Sequence, residues 1–142
     1  MSVFTDKEIG YLRSQRLGRL ATIDAAGELH VTPVGFHHDE ADDTIVIGGP
    51  NLRQTRKYRD AIERGVVAIV VDDVPPPWQP RGIEIRGTAH ASDEGGRMIH
   101  PDFPPDCLRI TVRKILSWGV NGPRDRTDPR ERRARVVGAS TE

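Results

Sequence analysis

Cysteine is almost absent from this sequence, since Cys107 is the only one among 142 residues. A single thiol excludes an internal disulfide and any zinc site built on cysteines. Cys107 stands at the head of a late apolar stretch, which predicts a small buried filler at the start of a strand. The sequence therefore predicts neither a disulfide framework nor a metal site.

An excess of charge of one sign is also missing, because Lys+Arg and Asp+Glu both number 21. Without a basic excess, and with seven aromatic residues, the chain lacks the features of a nucleic-acid-binding barrel. No apolar run approaches the length that spans a bilayer. Residues 1–6 lack the basic start and apolar run of a secretory signal. We therefore expect a cytoplasmic protein whose partners are neither nucleic acid nor membrane.

Apolar residues are few as well, and make up 36% of the chain. A chain of this length forms one domain with a modest core. We predict a barrel domain over residues 1–120 and a charged tail over residues 121–142. A second copy of the chain would bury more surface, so a homodimer is expected.

Three strands are predicted in the first half of the chain, over residues 18–24, 28–36 and 44–47. Gly27 suits the hairpin between the first two, and an acidic loop is expected over residues 37–43. Pro33 gives up one ladder hydrogen bond, so we expect it at an edge or a bulge, where backbone is free to meet a ligand.

Three more strands are predicted in the second half, over residues 66–71, 81–90 and 107–120. The first reads VVAIVV, and continuous apolarity predicts burial on both faces. Gly87 marks a bend or bulge in the second strand, and the third is expected to kink or split at Lys114. The proline-rich loop 74–80 places Trp78 either in the core or as a flat wall against a ring system.

Short helical segments are predicted at three places. Thr5 and Glu8 have capping-box spacing before a first helix of about three turns. The polar excursion over residues 92–105 has room for one helical turn around residues 97–100. The tail predicts one further helical turn over residues 130–137.

A basic helix is predicted after the third strand. Asn51 stands at the cap position with Gln54 three residues later, and Arg53, Arg56 and Lys57 are expected on one helix face. Free backbone N–H groups, the positive end of the helix dipole and these cations would then converge on one small volume. Such a volume binds phosphate or carboxylate.

The alternative to an anion site is a solvated basic helix face, which is common on protein surfaces. Gly48 and Gly49 favour the site, because they precede the helix and remove side chains that would hold a flat ligand away from the backbone. The order of elements, without repeated βαβ units, predicts a mainly β protein: a small antiparallel barrel with helices at its ends.

Six segments of the sequence carry a family resemblance: LGRLATIDAAGELHVTPVGF, DTIVIGG, RQTRKYRD, VAIVVDD, PPWQPRGIEIRG and LRITVRKILSWGV. Together they resemble the pyridoxamine-5′-phosphate-oxidase-like split-barrel family. Within it they are similar to the actinobacterial, coenzyme F420-dependent branch that includes a reductase of oxytetracycline biosynthesis. The resemblance spans residues 5–120 and implies a six-stranded Greek-key split β-barrel, as in FMN-binding split barrels. It also implies a homodimer with two cofactor sites at the subunit interface.

The resemblance also assigns residues to the cofactor. Those expected at the cofactor phosphate are Arg53, Thr55, Arg56 and Lys57. Those expected beside the ring system and ribityl chain are Pro33, Val34, Gly35, Ile47, Gly48 and Gly49. Trp78 and Arg81 are expected to reach in from the proline-rich loop.

Coenzyme F420, a deazaflavin, is the cofactor that the resemblance favours, with FMN as the alternative. Flavin-oxidase relatives have a Ser-Arg-Lys grip where this chain has Thr55, Arg56 and Lys57, and their C-terminal cofactor-binding Trp and Arg have no secure counterpart here. The expected reaction is hydride transfer from reduced F420 to a conjugated C=C or C=N of a small organic substrate. A non-catalytic carrier of a flavin or tetrapyrrole is the third reading.

Because the cofactor supplies the hydride, no catalytic side chain is predicted. If a proton donor assists, a bound water is as good a candidate as any residue, and the candidate side chains are His30, His37 and His38. His37 and His38 are adjacent, so they should point to opposite faces of a strand and cannot share one metal ion.

Overall fold

The computed structural model describes residues 1–122 and 132–138, which form two helices and seven strands. In chain order they are α1 (Asp6–Ser14), β1 (Leu17–Ile23), β2 (Leu29–Asp39), β3 (Thr44–Gly48), α2 (Arg56–Arg64), β4 (Val66–Asp73), β5 (Arg81–Ser92), β6 (Cys107–Trp118) and β7 (Arg132–Val136). Short 3-10 turns lie at Leu52–Gln54 and Gly96–Met98. Over these residues, no helix has the length and apolarity to cross a membrane.

The strands form one antiparallel sheet in the order β3-β2-β1-β4-β5-β6-β7, and β3 also pairs with β6. That last pairing closes β1 to β6 into a barrel. Placing β4 beside β1, after the meander β1-β2-β3, is a Greek-key connection. The predicted six-stranded Greek-key barrel is therefore confirmed, with β7 added outside it along β6.

The barrel interior is filled by branched apolar side chains, one from every second strand position. The largest fully buried ones are Leu20, Ile45, Ile47, Ile69, Ile83, Ile85, Leu108, Ile110 and Ile115. Burying each such side chain stabilises the fold by about 1.5 to 3 kcal/mol. Cys107, the first residue of β6, is buried as predicted, but it lies outside this core cluster, with its thiol 3.2 Å from the Glu94 carbonyl.

The acidic loop predicted over residues 37–43 is shorter than expected. His37, His38 and Asp39 continue β2 and pair with Val46, Ile45 and Thr44 of β3, so the turn spans only residues 40–43. Local polarity suggested a loop, but cross-strand pairing kept these residues in the ladder. His37 is exposed and His38 is buried, which confirms that they face opposite sides.

Strand β4 lies in the middle of the sheet, between β1 and β5, as its apolar run predicted. Burial on both faces was wrong for the single chain, because Val67, Ile69 and Val71 are buried while the residues between them are not. The apolar outer face of β4 is therefore left uncovered within one chain.

Two predictions for the C-terminal region need correction. Strand β6 runs unbroken through Lys114, and the irregularity is a bulge, since Arg86 pairs with Lys114 and Gly87 with Val112. This bulge confirms the role predicted for Gly87. The helical turn predicted over residues 130–137 is wrong in the described part of the tail, where β7 pairs with β6. Residues 130 and 131 lie outside the described ranges.

Helix α1 begins with the predicted capping box, in which Thr5 accepts from the Glu8 N–H and Glu8 accepts from the Thr5 N–H. The Glu8 carboxylate is buried and also accepts hydrogen bonds from Arg135, whose guanidinium donates to the Val3 carbonyl at 2.8 Å. The described end of the tail is thereby tied to the N-terminus. Burial alone would raise the pKa of Glu8, but the hydrogen bonds from Arg135 and Thr5 outweigh it and lower the pKa.

We expect Arg135→Met to lower the free energy of unfolding by about 2 kcal/mol at neutral pH, because it leaves Glu8 charged, buried and short of a partner. The folded-state pKa of Glu8 is depressed, so its contribution is present above the unfolded pKa and is lost as pH falls through the folded pKa. Urea unfolding at neutral and acidic pH measures both effects. The double variant Glu8→Gln/Arg135→Met should recover part of the loss, and an equal loss in the double variant would contradict the pairing.

Candidate cofactor groove

The candidate site is a groove that opens where β2 and β3 separate. Their pairing ends at Gly35 and Gly48, and beyond it Pro33 and Val34 pair only with β1. Pro33 thus lies on a local edge, as predicted. The groove encloses about 350 Å³ and is lined by Pro33, Val34, Gly35, Gly48, Gly49, Pro50, Asn51, Leu52, Thr55, Lys57 and Phe103.

The start of α2 forms one end of the groove, but it is built differently from the prediction. Asn51 makes no side-chain cap, and the helix begins at Arg56 with Thr55 as its N-cap. The Thr55 hydroxyl donates to the Leu52 carbonyl at 2.6 Å and accepts from the Tyr58 N–H. Because the Thr55 hydroxyl proton is already donated to Leu52, the role of Thr55 is to cap the helix. An anion would instead contact the backbone N–H groups of Arg56 and Lys57.

Charge in the first turn of α2 opposes helix stability. This turn holds Arg56 and Lys57 and no acidic residue, whereas the first turn of α1 holds Asp6 and Glu8. Cations at a helix N-terminus are disfavoured by the helix dipole. Two of them beside free N–H groups make a strongly positive position, which suits an anionic ligand.

The three cations predicted on one helix face are not equivalent. Lys57 is half-buried and lines the groove, and in the described ranges it has no carboxylate partner. Arg56 is exposed and lies outside the lining. Arg53 belongs to the 3-10 turn before the helix, is 61% exposed at its side chain, and lies 3.8 Å from Asp106. The shared face predicted for Arg53, Arg56 and Lys57 is therefore wrong.

The glycines of the groove play two different roles. A methyl group on Gly49 would meet open space, as expected for a residue beside a ligand. Methyl groups on Gly35 and Gly48 would each lie 2.9 Å from Ile99, closer than carbon atoms pack. Ile99 of this chain thus fills the space that side chains at these two positions would occupy, which corrects the expectation that Gly48 makes room for a ligand.

Besides Arg53 and Arg56, three of the predicted cofactor residues lie away from the groove within one chain. Ile47 is fully buried in the barrel. Arg81 binds Asp73 at 2.7 and 2.9 Å and stacks over the Tyr11 ring, and the hydrogen bond from Arg81 lowers the pKa of Asp73. Trp78 is 66% exposed, so the core placement considered for it is wrong.

The groove also includes residues that the sequence did not single out. Pro50, Asn51 and Leu52 follow directly from the predicted glycines, so their neighbourhood was a usable signal. Phe103 comes from the excursion between β5 and β6, far along the chain. Only the folded topology brings Phe103 beside β2.

None of the candidate histidines lines the groove. His30 binds Asp24 at 2.8 Å in the β1–β2 hairpin, and this bond, with the Glu28 N–H, lowers the pKa of Asp24 to about 2. His38 binds Asp43 at 2.7 Å on a buried face. His30 and His38 are therefore held by contacts outside the groove and do not reach it.

An uncovered apolar face lies next to the groove. Leu29 and Val31 of β2 are 74% and 68% exposed, and Ala21 and Ala68 continue the face across β1 and β4 in register. Pro33 shares the outward side of β2 with Val31, because it is two residues further along the strand. The apolar face and the groove therefore meet at Pro33.

The protein is a β-barrel with a groove where two strands separate, and this architecture defines the split-barrel class. Sequence comparison identifies the family. Residues 4–118 match the family model described as pyridoxamine 5'-phosphate oxidase. The chain is 46% identical over 121 residues to 5a,11a-dehydrotetracycline/5a,11a-dehydrooxytetracycline reductase of Streptomyces rimosus, covering 84% of this chain and 85% of that one. The chain belongs to the pyridoxamine 5'-phosphate oxidase family and, as a relative of a reductase, is an oxidoreductase of that family.

Solved structures share the fold at low identity. A conserved hypothetical protein of Mycobacterium tuberculosis aligns with a TM-score of 0.66 and 20% identity over 83% of this chain and 86% of that chain. An FAD binding protein of Mycobacterium smegmatis aligns with a TM-score of 0.60 and 20% identity, over 80% of this chain and 93% of that chain. These likenesses establish the barrel architecture.

Proposed function

We propose that this oxidoreductase uses reduced coenzyme F420 to transfer a hydride to a conjugated C=C or C=N of a small organic substrate. The observation that carries the proposal is the groove, because seven of the twelve cofactor residues expected from the sequence line it. They are Pro33, Val34, Gly35, Gly48, Gly49, Thr55 and Lys57. The close relative named as a reductase supports the reaction class.

The groove fits a flat, phosphorylated cofactor. Lys57 and the N–H groups at the start of α2 would hold the phosphate, with Arg56 adding charge from the surface. The backbone of Pro33 and Val34, which is not paired with β3, would border the ring together with Gly35. Gly49, whose side-chain direction is open, would let the ring approach the chain closely.

When bound, reduced F420 supplies a hydride to an acceptor stacked against its ring. The protein's part is to hold both molecules at reacting distance and to keep water from the reacting faces. No histidine of the same chain lines the groove, and we propose a bound water as the source of the proton that completes the reduction. The relative's name suggests a fused-ring acceptor, and we propose that class for this chain.

We further propose that the protein is a homodimer whose interface is the apolar face beside the groove. That face continues from Leu29 and Val31 across β1 to the uncovered side of β4, and it includes an apolar hollow of about 370 Å³. Exposed apolar patches of this kind mark interaction sites. A partner covering this face would border the groove at Pro33, and could bring its own Trp78 and Arg81 towards the cofactor.

We expect Val31→Glu to yield a monomer, since it places a charge in the centre of the apolar face. Val136→Glu is the matched control, because Val136 is a similarly exposed valine on β7. Light scattering after size-exclusion chromatography should give twice the chain mass for the parent protein and the control. A parent protein that elutes as a monomer would overturn the dimer and leave the groove unaffected.

Turnover tests the proposed reaction. Purified protein is mixed with reduced F420 and an acceptor, either the one-ring cyclohex-2-en-1-one or the four-ring 5a,11a-dehydrotetracycline, and reoxidation of the deazaflavin is followed by its absorbance. We expect protein-dependent, multiple-turnover oxidation with at least one acceptor. Tight cofactor binding with no turnover of either would favour a carrier and count against the enzyme.

A further inference from the structure

The segment 93–106, here called the wall segment, lies along one side of the groove. It carries two apolar side chains into the site: Phe103 in the lining, and Ile99 against the paired glycines Gly35 and Gly48. Both side chains are partly buried. The wall segment therefore sets the width and depth of the groove, although it is remote from β2 and β3 in sequence.

The two ends of the wall segment meet and are here called its neck. Hydrogen bonds and a close backbone contact hold them in place. The Gly96 N–H donates to the Pro105 carbonyl at 3.0 Å, and a methyl group on Gly96 would lie 2.0 Å from the Pro104 carbonyl oxygen. Arg109 of β6 donates to the Glu94 carbonyl at 2.6 Å and to the Ser92 hydroxyl at 3.2 Å. Such anchoring fixes where the rest of the segment sits on the barrel.

Ile99 connects the wall segment to the floor of the groove by packing over Gly35 and Gly48. Gly35 and Gly48 are partners in the β2–β3 register, so their side-chain directions point to the same side of the sheet. Ile99 Cγ2 occupies the space over Gly35, and Ile99 Cδ1 occupies the space over Gly48. One side chain therefore locks the wall segment onto the two strands where they separate.

Among the described residues, Phe103 is the one aromatic residue in the groove lining, and its ring packs against His100 at a centroid distance of 5.1 Å. It comes from a different element than the phosphate end at Lys57 and the backbone edge at Pro33. Its ring offers an apolar, flat surface to a second ring system. Aromatic rings of this kind recognise fused-ring molecules by stacking.

We propose that Phe103 is the specificity-determining residue that packs against the rings of the acceptor, and that Ile99 is the positioning residue that fixes Phe103 over the groove. The inference rests on the proposed reductase function and deepens it. It predicts that the chain selects acceptors by ring number, through a residue outside the cofactor grip.

The first test compares Phe103→Ala with Phe103→Tyr. Phe103→Ala should raise the KM for 5a,11a-dehydrotetracycline about tenfold, because stacking on the ring is lost. The KM for cyclohex-2-en-1-one and the Kd for F420 should rise by a clearly smaller factor, and Phe103→Tyr should behave as the parent. Equal changes for both acceptors, or a changed Kd for F420 with an unchanged KM, would overturn the proposal.

Failure of the proposed function would show separately, as a parent protein that binds no F420 or turns over neither acceptor. Calorimetric binding of 5a,11a-dehydrotetracycline to the protein without cofactor then decides the inference by itself. Weaker binding to Phe103→Ala than to the parent supports Phe103 as the acceptor wall. Equal binding to both, or binding to neither, overturns it.

The second test separates Ile99 from a general packing role. Gly48→Ala should raise the KM for the four-ring acceptor relative to the one-ring acceptor, since its methyl group pushes on Ile99 Cδ1. Ile99→Val lacks that atom, so the double variant Gly48→Ala/Ile99→Val should return to the parent ratio. Ile99→Val keeps Cγ2 and should fail to rescue Gly35→Ala. Rescue of both glycine variants, or of neither, would overturn the positioning role.

Discussion

Lys57→Ala is expected to weaken F420 binding by about tenfold to a hundredfold, since a charge-assisted contact contributes about 1.5 to 3 kcal/mol. Lys57 is the cation that lines the groove, and its ammonium has no carboxylate partner among the described residues. The same variant should unfold at an equal or slightly higher denaturant concentration, because it removes a cation from a helix N-terminus. Fluorescence titration of F420 and urea unfolding measure the two effects.

Arg59→Ala is the matched control, since Arg59 is an exposed cation of the same helix away from the groove lining. It changes the net charge by the same amount and should alter the Kd by less than about twofold, as expected for a screened surface charge. Arg53→Ala should also have a small effect, because Arg53 is exposed and faces Asp106. An unchanged Kd in Lys57→Ala, or equal losses in all three variants, would refute the phosphate grip.

Arg109→Met is expected to lower the free energy of unfolding by about 4 kcal/mol, the largest stability effect predicted for this chain. Arg109 is buried and donates to Asp39 at 2.7 Å, to Asp42 at 2.9 Å and to Thr44 at 3.1 Å, besides holding the neck of the wall segment. Removing it leaves the Asp39 carboxylate buried without its main partner. Urea unfolding at neutral pH gives the loss directly.

The pH dependence of the free energy of unfolding of Arg109→Met tests whether the Asp39–Arg109 pair causes this loss. The hydrogen bond from Arg109 lowers the pKa of Asp39 in spite of its burial. In the parent protein, the stability that the ionised Asp39 contributes through Arg109 is present above the unfolded-state pKa of Asp39. It is lost as pH falls through the folded-state pKa. Without Arg109, burial raises the pKa instead, so Asp39 should cost stability as pH rises. The double variant Asp39→Asn/Arg109→Met should remove that dependence, and a dependence that persists would contradict the account.

The sequence predicted the barrel well because its strands carry period-two patterns and its turns carry glycines at positive φ. The Gly27 hairpin is an example, with a φ of 87°. Predictions failed where tertiary pairing overrode local composition. The acidic stretch after Phe36 stays in β2 because β3 pairs with it. The basic tail forms β7 because the edge of β6 was free to accept a strand.

The site was predictable where its residues are close in sequence. Gly48, Gly49 and Lys57 follow one strand, so a motif could place them together. Phe103 and Ile99 could not be found this way, because they reach the groove through the closure of a long excursion between β5 and β6. The helix start was misplaced by four residues, since Asn51 and Thr55 are both good caps and the 3-10 turn between them decides in favour of Thr55.

The central claim is that the groove binds a deazaflavin, and a side-by-side titration of the purified protein with F420 and FMN tests it most directly. Cofactor fluorescence is followed as protein is added, with each cofactor also used as competitor for the other. The account predicts saturable F420 binding, one molecule per chain, that FMN does not displace. FMN binding more tightly than F420, or no saturable binding of F420, would contradict it.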